Sequence, residues 1–210
     1  MKALLICDDY WHPGAIPIEG VAPLGEQGFQ FNIITNANDF KPETLSDYPV
    51  VLLAKCDQAS REDNASWKTE TVQRAFIAYV ENGGGLIAVH SGTVAGSQTE
   101  ALDLLLGCRF TSHPQACPVL VQPLKPHPVT NGAEMFCETD EHYRLEILTP
   151  DADIIMASYS PAWISPAGLV RTQGKGRVCV LTPGHCLPVW LNPQFQRILA
   201  NSLRWCAGRT

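Results

Sequence analysis

Five short apolar runs limit what this chain can fold into. Residues 3–7, 31–35, 50–54, 86–90 and 178–182 are rich in Val, Ile and Leu and show little polar alternation. A strand without a polar face has to be covered on both sides, which predicts parallel pairing beneath two layers of helices. Between the third and fourth runs, Val72, Ala75, Phe76, Tyr79 and Val80 recur at helical spacing and Asn82-Gly83 ends the pattern. Near the end of the chain, Asn192 reads as an N-cap and Pro193 as the first helical residue, with Phe195, Ile198, Leu199 and Leu203 on one face. Shorter helices are expected near 99–106 and 18–25. The order strand, helix, strand gives an α/β fold with a doubly wound, mainly parallel sheet, whose ligands collect beyond the carboxyl ends of the strands.

From residue 114 to 176 the texture changes, because Pro and Gly interrupt short strand-like pieces such as 119–122 and 154–158. This predicts an antiparallel insertion, with Gln173-Gly174-Lys175-Gly176 turning into the last central strand. No linker divides the chain, and 210 residues suffice for one well-filled core, so residues 1–210 are expected to form a single domain.

Fifteen basic against 21 acidic residues, with no basic run, argue against nucleic acid as a partner. No apolar stretch reaches the roughly 18 to 20 residues that span a bilayer, so no membrane is expected either. The eight cysteines form no CxxC pair, and Cys7, Cys179 and Cys206 lie within apolar patterns. They read as reduced core residues of a cytoplasmic protein.

The loops at 8–14, 54–57, 90–92 and 183–185 leave the expected carboxyl ends. His90 ends an apolar run and precedes Ser91-Gly92, the outline of a strand, sharp turn and helix start whose middle residue points at substrate. The spacing matches the nucleophile elbows of class I glutamine amidotransferases and hydrolases, but an imidazole replaces the nucleophile. His185 follows another buried run, and two imidazoles above adjacent strand ends suit acid–base work near neutral pH. The plainer reading is a pair of turn histidines satisfied by hydrogen bonds. Ser91 stands one position off the nucleophile and counts as a substrate-binding candidate.

His12 is held extended by Pro13, and the preceding Tyr10 and Trp11 offer a sugar-stacking platform; packing of Trp11 on Pro13 is the alternative. Asp140-Glu141-His142-Tyr143 crowds two carboxylates, an imidazole and a phenol together. Alternation along a strand puts Asp140 and Glu141 on opposite faces, making Glu141 with Tyr143 the better functional pair, unless the run is simply a solvated loop. His113 ranks above His127, which sits in a turn. The imidazoles with Glu141 could instead hold a divalent metal such as zinc, although no HExxH or comparable spacing is present. Gly83-Gly84-Gly85 precedes a strand and so is not a phosphate cradle.

Taken together, WHPG at 11–14, GGGLIAVHSG at 83–92, HPVT at 127–130, DEHY at 140–143, TPGH at 182–185 and NPQFQRILANSLRW at 192–205 resemble the trehalose utilisation (ThuA-like) family. The resemblance implies a flavodoxin-like, class I glutamine amidotransferase-like fold without the amidotransferase cysteine. It also implies a role in sugar catabolism, on a keto-disaccharide or related oxidised sugar. Its motifs carry over to His12, His90, His113, Glu141, Tyr143 and His185, with His142 open between spacer and ligand.

The leading expectation is acid–base processing of such a sugar by elimination, hydrolysis or isomerisation. His90 or His185 would take a proton beside the carbonyl and the other would donate one, with Glu141 in the catalytic set. Direct hydrolysis by two opposed carboxylates finds only Glu141 as a candidate. The rivals are a non-catalytic sugar- or metal-binding module and a metal-dependent hydrolase. The expected partner is a small-molecule sugar, and the tryptophans at 11, 163 and 190 would line the cleft or a contact between copies in a homo-oligomer.

Overall fold

A computed structural model describes residues 1–96 and 98–209. In chain order the elements are β1 (Lys2–Cys7), α1 (Ala15–Val21), β2 (Gln30–Ile34), β3 (Val50–Ala54), α2 (Glu70–Glu81), β4 (Gly85–Val89), α3 (Glu100–Leu106), β5 (Cys108–Ser112), β6 (Cys117–Pro123), β7 (Phe136–Asp140), β8 (Arg144–Ile147), β9 (Asp153–Tyr159), β10 (Ile164–Gln173), β11 (Gly176–Leu181), α4 (Leu187–Leu191) and α5 (Pro193–Cys206). A 3-10 turn at Ala22–Gln27 extends α1, and another at His90–Thr93 follows β4.

Nine strands form one sheet in the order β2-β1-β3-β4-β11-β10-β9-β6-β7. The first five run parallel, in the flavodoxin-like arrangement 2-1-3-4-5 with β11 as the fifth strand. The rest are antiparallel. The insertion is therefore not a separate layer, because β10, β9, β6 and β7 extend the same sheet. β5 and β8 pair apart from it.

Successive side chains of a strand point to opposite faces, and the central strands fill two cores accordingly. Leu5, Cys7, Leu52, Ile87, Val89, Cys179 and Leu181 meet Leu24, Phe195, Ile198, Leu199 and Leu203 on one side. Leu4, Ile6, Val51, Leu53, Leu86, Ala88, Val178 and Val180 meet Phe76, Val80, Leu102 and Leu105 on the other. Cys7, Cys56, Cys108, Cys179 and Cys206 are buried, and all eight thiols are free. Among the described residues, no helix is long and apolar enough to cross a membrane.

Two expectations need correction. The 31–35 run is not buried on both faces: β2 is the edge strand, and Asn32 and Ile33 are exposed, since the sheet edge lacks a full helical cover. The turn after His90 does not open a helix directly, because α3 begins only at Glu100. Trp190, one of the tryptophans expected at the cleft or a subunit contact, lines the back of the cleft although almost fully buried, and its indole N–H donates to the Gly184 carbonyl at 2.8 Å.

The last helix is tied at its start by Asn192, whose side chain accepts from the Gln194 N–H and donates to Glu138, both at 2.9 Å. Asn192→Ala is expected to cost about 1 kcal/mol, the usual worth of a helix cap. Urea denaturation measures this, and an unchanged midpoint would show that the cap is dispensable.

Candidate active site

Each functional side chain sits where a strand stops. After β1, Asp8 adopts a left-handed φ of 74°. The buried Lys55 ammonium donates to its carbonyl, and its carboxylate accepts the Gly14 N–H at 2.7 Å. Asp9, fully buried, then accepts from four donors: the N–H groups of Trp11 and His12 at 3.0 Å, the Cys56 N–H at 2.9 Å and His12 Nδ1 at 2.7 Å. His12 is thereby fixed with its Nδ1 proton on Asp9 and its Nε2 3.3 Å from the Tyr143 hydroxyl.

Burial pushes the Asp9 carboxyl up, but the hydrogen bonds and charge of His12 and the Cys56 N–H outweigh it and hold the group at about 2. A folded-state value below the unfolded one gives stability that is present above pH ~4 and lost as the pH falls towards 2, here about 2 kcal/mol. Urea midpoints between pH 5 and 2 should show this loss in the wild type and much less of it in Asp9→Asn. An identical acid response in both proteins would count against it.

β4 delivers His90, whose left-handed φ of 46° is rare for a residue with a Cβ. The turn is held by Thr93 Oγ1 donating to the His90 carbonyl at 2.7 Å. Gly92 is required there, since a Cβ would lie 2.1 Å from the Leu53 carbonyl oxygen. His90 Nδ1 donates to the Thr182 carbonyl at 2.8 Å, which aims Nε2 outward. Burial lowers the His90 pKa, against the opposing pull of Glu141 and Asp140.

At the end of β7, Asp140 and Glu141 divide as strand alternation predicts. Asp140, 2% exposed, accepts the N–H groups of Gly184, His185 and Cys186 at 2.8, 2.9 and 3.3 Å. Burial raises its pKa in spite of His90 and these donors. Glu141 faces the other way, with Oε2 3.3 Å from His90 Nε2, 3.2 Å from His185 Nδ1 and 3.7 Å from His113 Nε2. Burial pushes Glu141 up, but the hydrogen bonds and charges of His185 and His90 carry it below the usual carboxylate range. The Glu141 carboxylate, as acceptor and then as charge, raises the His185 pKa. The buried His185 Nδ1 nevertheless has no aligned hydrogen bond, so the pairing is electrostatic.

The structure thus brings together His12, His90, Glu141 and His185, one donor atom of each lying within 4.8 Å of all the others. Tyr143 covers the cluster, its ring centroid 3.8 Å from that of His90, and Phe110 and His113 continue this aromatic wall at 4.3 and 5.7 Å from Tyr143. Burial, then the charge of Glu141, raises the Tyr143 pKa. Ser91 is buried at the cleft floor beside His12, His90 and His185. Tyr10 and Trp11 form an exposed edge-to-face pair, centroids 4.8 Å apart, on the loop that carries His12.

Two histidines stay out. His142 is a spacer, turned inward to Ser160 and Ser158 at 2.7 and 2.9 Å. His127 caps the turn at Pro128–Thr130 and packs edge-on against Trp205. Sequence reasoning missed Asp9, Thr182 and Phe110, and it set Asp140 on the far face without foreseeing the loop that it holds. Only Asp9 left a signal, an aspartate two and three residues before the N–H groups it accepts, which is an Asx-type turn pattern.

No curated protein matches the chain. Among solved structures, it is similar to a ThuA-like protein of Parabacteroides merdae (18% identity, TM-score 0.79, covering 99% of this chain and 90% of that one). It is also similar to a ThuA-like protein of Bacteroides uniformis (22%, TM-score 0.73, 98% and 91%). A β-galactosidase of Rahnella sp. R3 contains the same fold within a longer chain (17%, TM-score 0.69, 97% of this chain and 31% of that one). The family model described as trehalose utilisation, ThuA, matches residues 2–206, and the chain belongs to that family.

Proposed function

We propose that this protein performs acid–base chemistry on an oxidised sugar, a keto-disaccharide or close relative, at the His90, His185 and Glu141 cluster. The observation that carries this reading is the meeting of three imidazoles with a single accessible carboxylate above the strand ends. A carbonyl beside a C–H bond makes that proton removable, provided that positive charge waits at the oxygen where the enolate develops. The cluster offers both basic atoms and a place for that charge. Elimination of the glycosidic oxygen, or isomerisation, can follow.

A two-carboxylate glycosidase mechanism is less well supported. Asp9 and Asp140, the carboxylates nearest the cluster, are buried and committed to backbone N–H groups, leaving Glu141 without an opposed partner. His12 and Ser91 would position the substrate from the cleft floor, Tyr143 from the wall over His90, His113 from the rim, and Tyr10 and Trp11 as a stacking platform. Family membership supports the sugar, and the β-galactosidase fold match is compatible with it.

The test is incubation of the purified protein with trehalose and with enzymatically prepared 3-keto-trehalose, followed by NMR and mass spectrometry. Consumption of the keto-sugar alone is the expected result. Turnover of neither, with no thermal stabilisation by either, would remove the keto-disaccharide reading.

A further inference from the structure

We propose that His12, His90, His185 and Glu141 hold one divalent cation of the zinc type. The inference rests on the cluster being the functional site and not on the identity of the sugar.

The argument begins with a count of protons. His90 Nδ1 faces the Thr182 carbonyl, which only accepts, so its proton is on Nδ1 and Nε2 presents a lone pair. His12 Nδ1 is likewise committed to Asp9, leaving Nε2 as a lone pair. The Tyr143 hydroxyl, 3.3 Å away, can donate a long hydrogen bond to that lone pair and would give it up to a cation. His185 Nδ1 is buried without a hydrogen-bond partner. The ionised Glu141 offers acceptor oxygens only. Four metal-ligating side chains thus converge, each imidazole presenting an electron pair when it is neutral. Without positive charge among them, the Glu141 oxygen and the His90 nitrogen would repel each other across 3.3 Å.

A cation resolves the conflict as a proton on an imidazole also would, and the four donor atoms lie within 4.8 Å of one another, so that a small inward rotation of the side chains brings them to ligand spacing. Bonds of about 2.0–2.1 Å in tetrahedral geometry place neighbouring ligand atoms about 3.3–3.4 Å apart. The Glu141 oxygen is 3.3 Å from His90 Nε2 and 3.2 Å from His185 Nδ1. Three imidazoles and one carboxylate form a borderline donor set that suits zinc and its neighbours better than magnesium or calcium, which prefer oxygen. The outer partners are also in place. Asp9 on His12 and the Thr182 carbonyl on His90 are the groups that fix tautomer and ring angle in histidine metal sites. Held there, a cation would supply the positive charge that a developing oxyanion needs, the part otherwise left to a protonated imidazole.

The experiment is titration of chelator-stripped full-length protein with Zn²⁺ by calorimetry and with Co²⁺ by visible absorption. Saturation at one ion per chain, a four- or five-coordinate Co²⁺ spectrum and a raised Tm are expected. Glu141→Gln and His12→Ala should weaken Zn²⁺ binding by about 100-fold or more, Asp9→Asn by about 10–100-fold, and His113→Ala little. If the variants fail to fold, the Co²⁺ spectrum and stoichiometry of the wild type decide the matter alone. No saturation at one equivalent, or unchanged binding in folded Glu141→Gln and His12→Ala, would overturn the site. Full turnover of a keto-sugar by the stripped protein would overturn any part for the ion in the reaction while leaving the proposed function intact. One-ion binding without turnover would uphold the site and count against that function.

Discussion

Glu141→Gln is expected to lower turnover of a 3-keto-disaccharide by about 10²–10⁴-fold, the range for losing a positioned acid–base group. The substitution keeps the shape of the side chain and removes its charge. Whether Glu141 holds a protonated imidazole or a cation, that charge would balance the positive centre on which the proposed reaction depends. The side chain is 17% exposed and its contacts are to His90, His185 and His113, so the fold should survive. The measurement is kcat and KM on the keto-sugar, beside far-UV circular dichroism to confirm folding. A folded variant with wild-type turnover would remove Glu141 from the catalytic set, and with it the reading that joins the three imidazoles into one site.

Asp140→Ala should instead strike stability. The carboxylate accepts three backbone N–H groups from a loop 44 to 46 residues away. Truncation leaves those donors in a largely buried loop without partners, at about 1–3 kcal/mol each before any water enters. A loss of about 3–6 kcal/mol follows, which for a chain of this length lowers Tm by on the order of 10 °C. Asp140→Asn, retaining one acceptor oxygen, should fall in between. Calorimetry checks both, and an alanine variant melting within about 2 °C of wild type would mean that the loop is held by other contacts.

The parallel half of the sheet was legible because burial on both faces leaves a plain mark, an unbroken apolar run. β2 misled for the same reason, since Phe31, Ile33 and Ile34 resemble a buried strand while lying at an edge. The histidines of the site could be picked out because each lies just beyond a strand. The period of two separated Asp140 from Glu141 correctly. It also accounts for His142, which follows Glu141 and turns back to Ser158 and Ser160. What the sequence could not show is the support. The partners of Asp140 and His90 are backbone groups 44 and 92 residues distant, and a peptide N–H or carbonyl carries no residue signature. The same holds for Phe110, whose role depends on where β5 leaves the ring relative to Tyr143.

The position of β11 also bears on how the chain is made. It lies between β4 and β10, yet residues 90–175 leave the ribosome before its first residue does. Until then β4, an apolar strand, shows a bare hydrogen-bonding edge of the kind that recruits other chains. Nascent chains stalled just short of residue 176 should therefore depend most on chaperones. Release of the β10–β11 hairpin closes that edge and, in the same step, brings His185 to the histidines already waiting at the ends of β1 and β4.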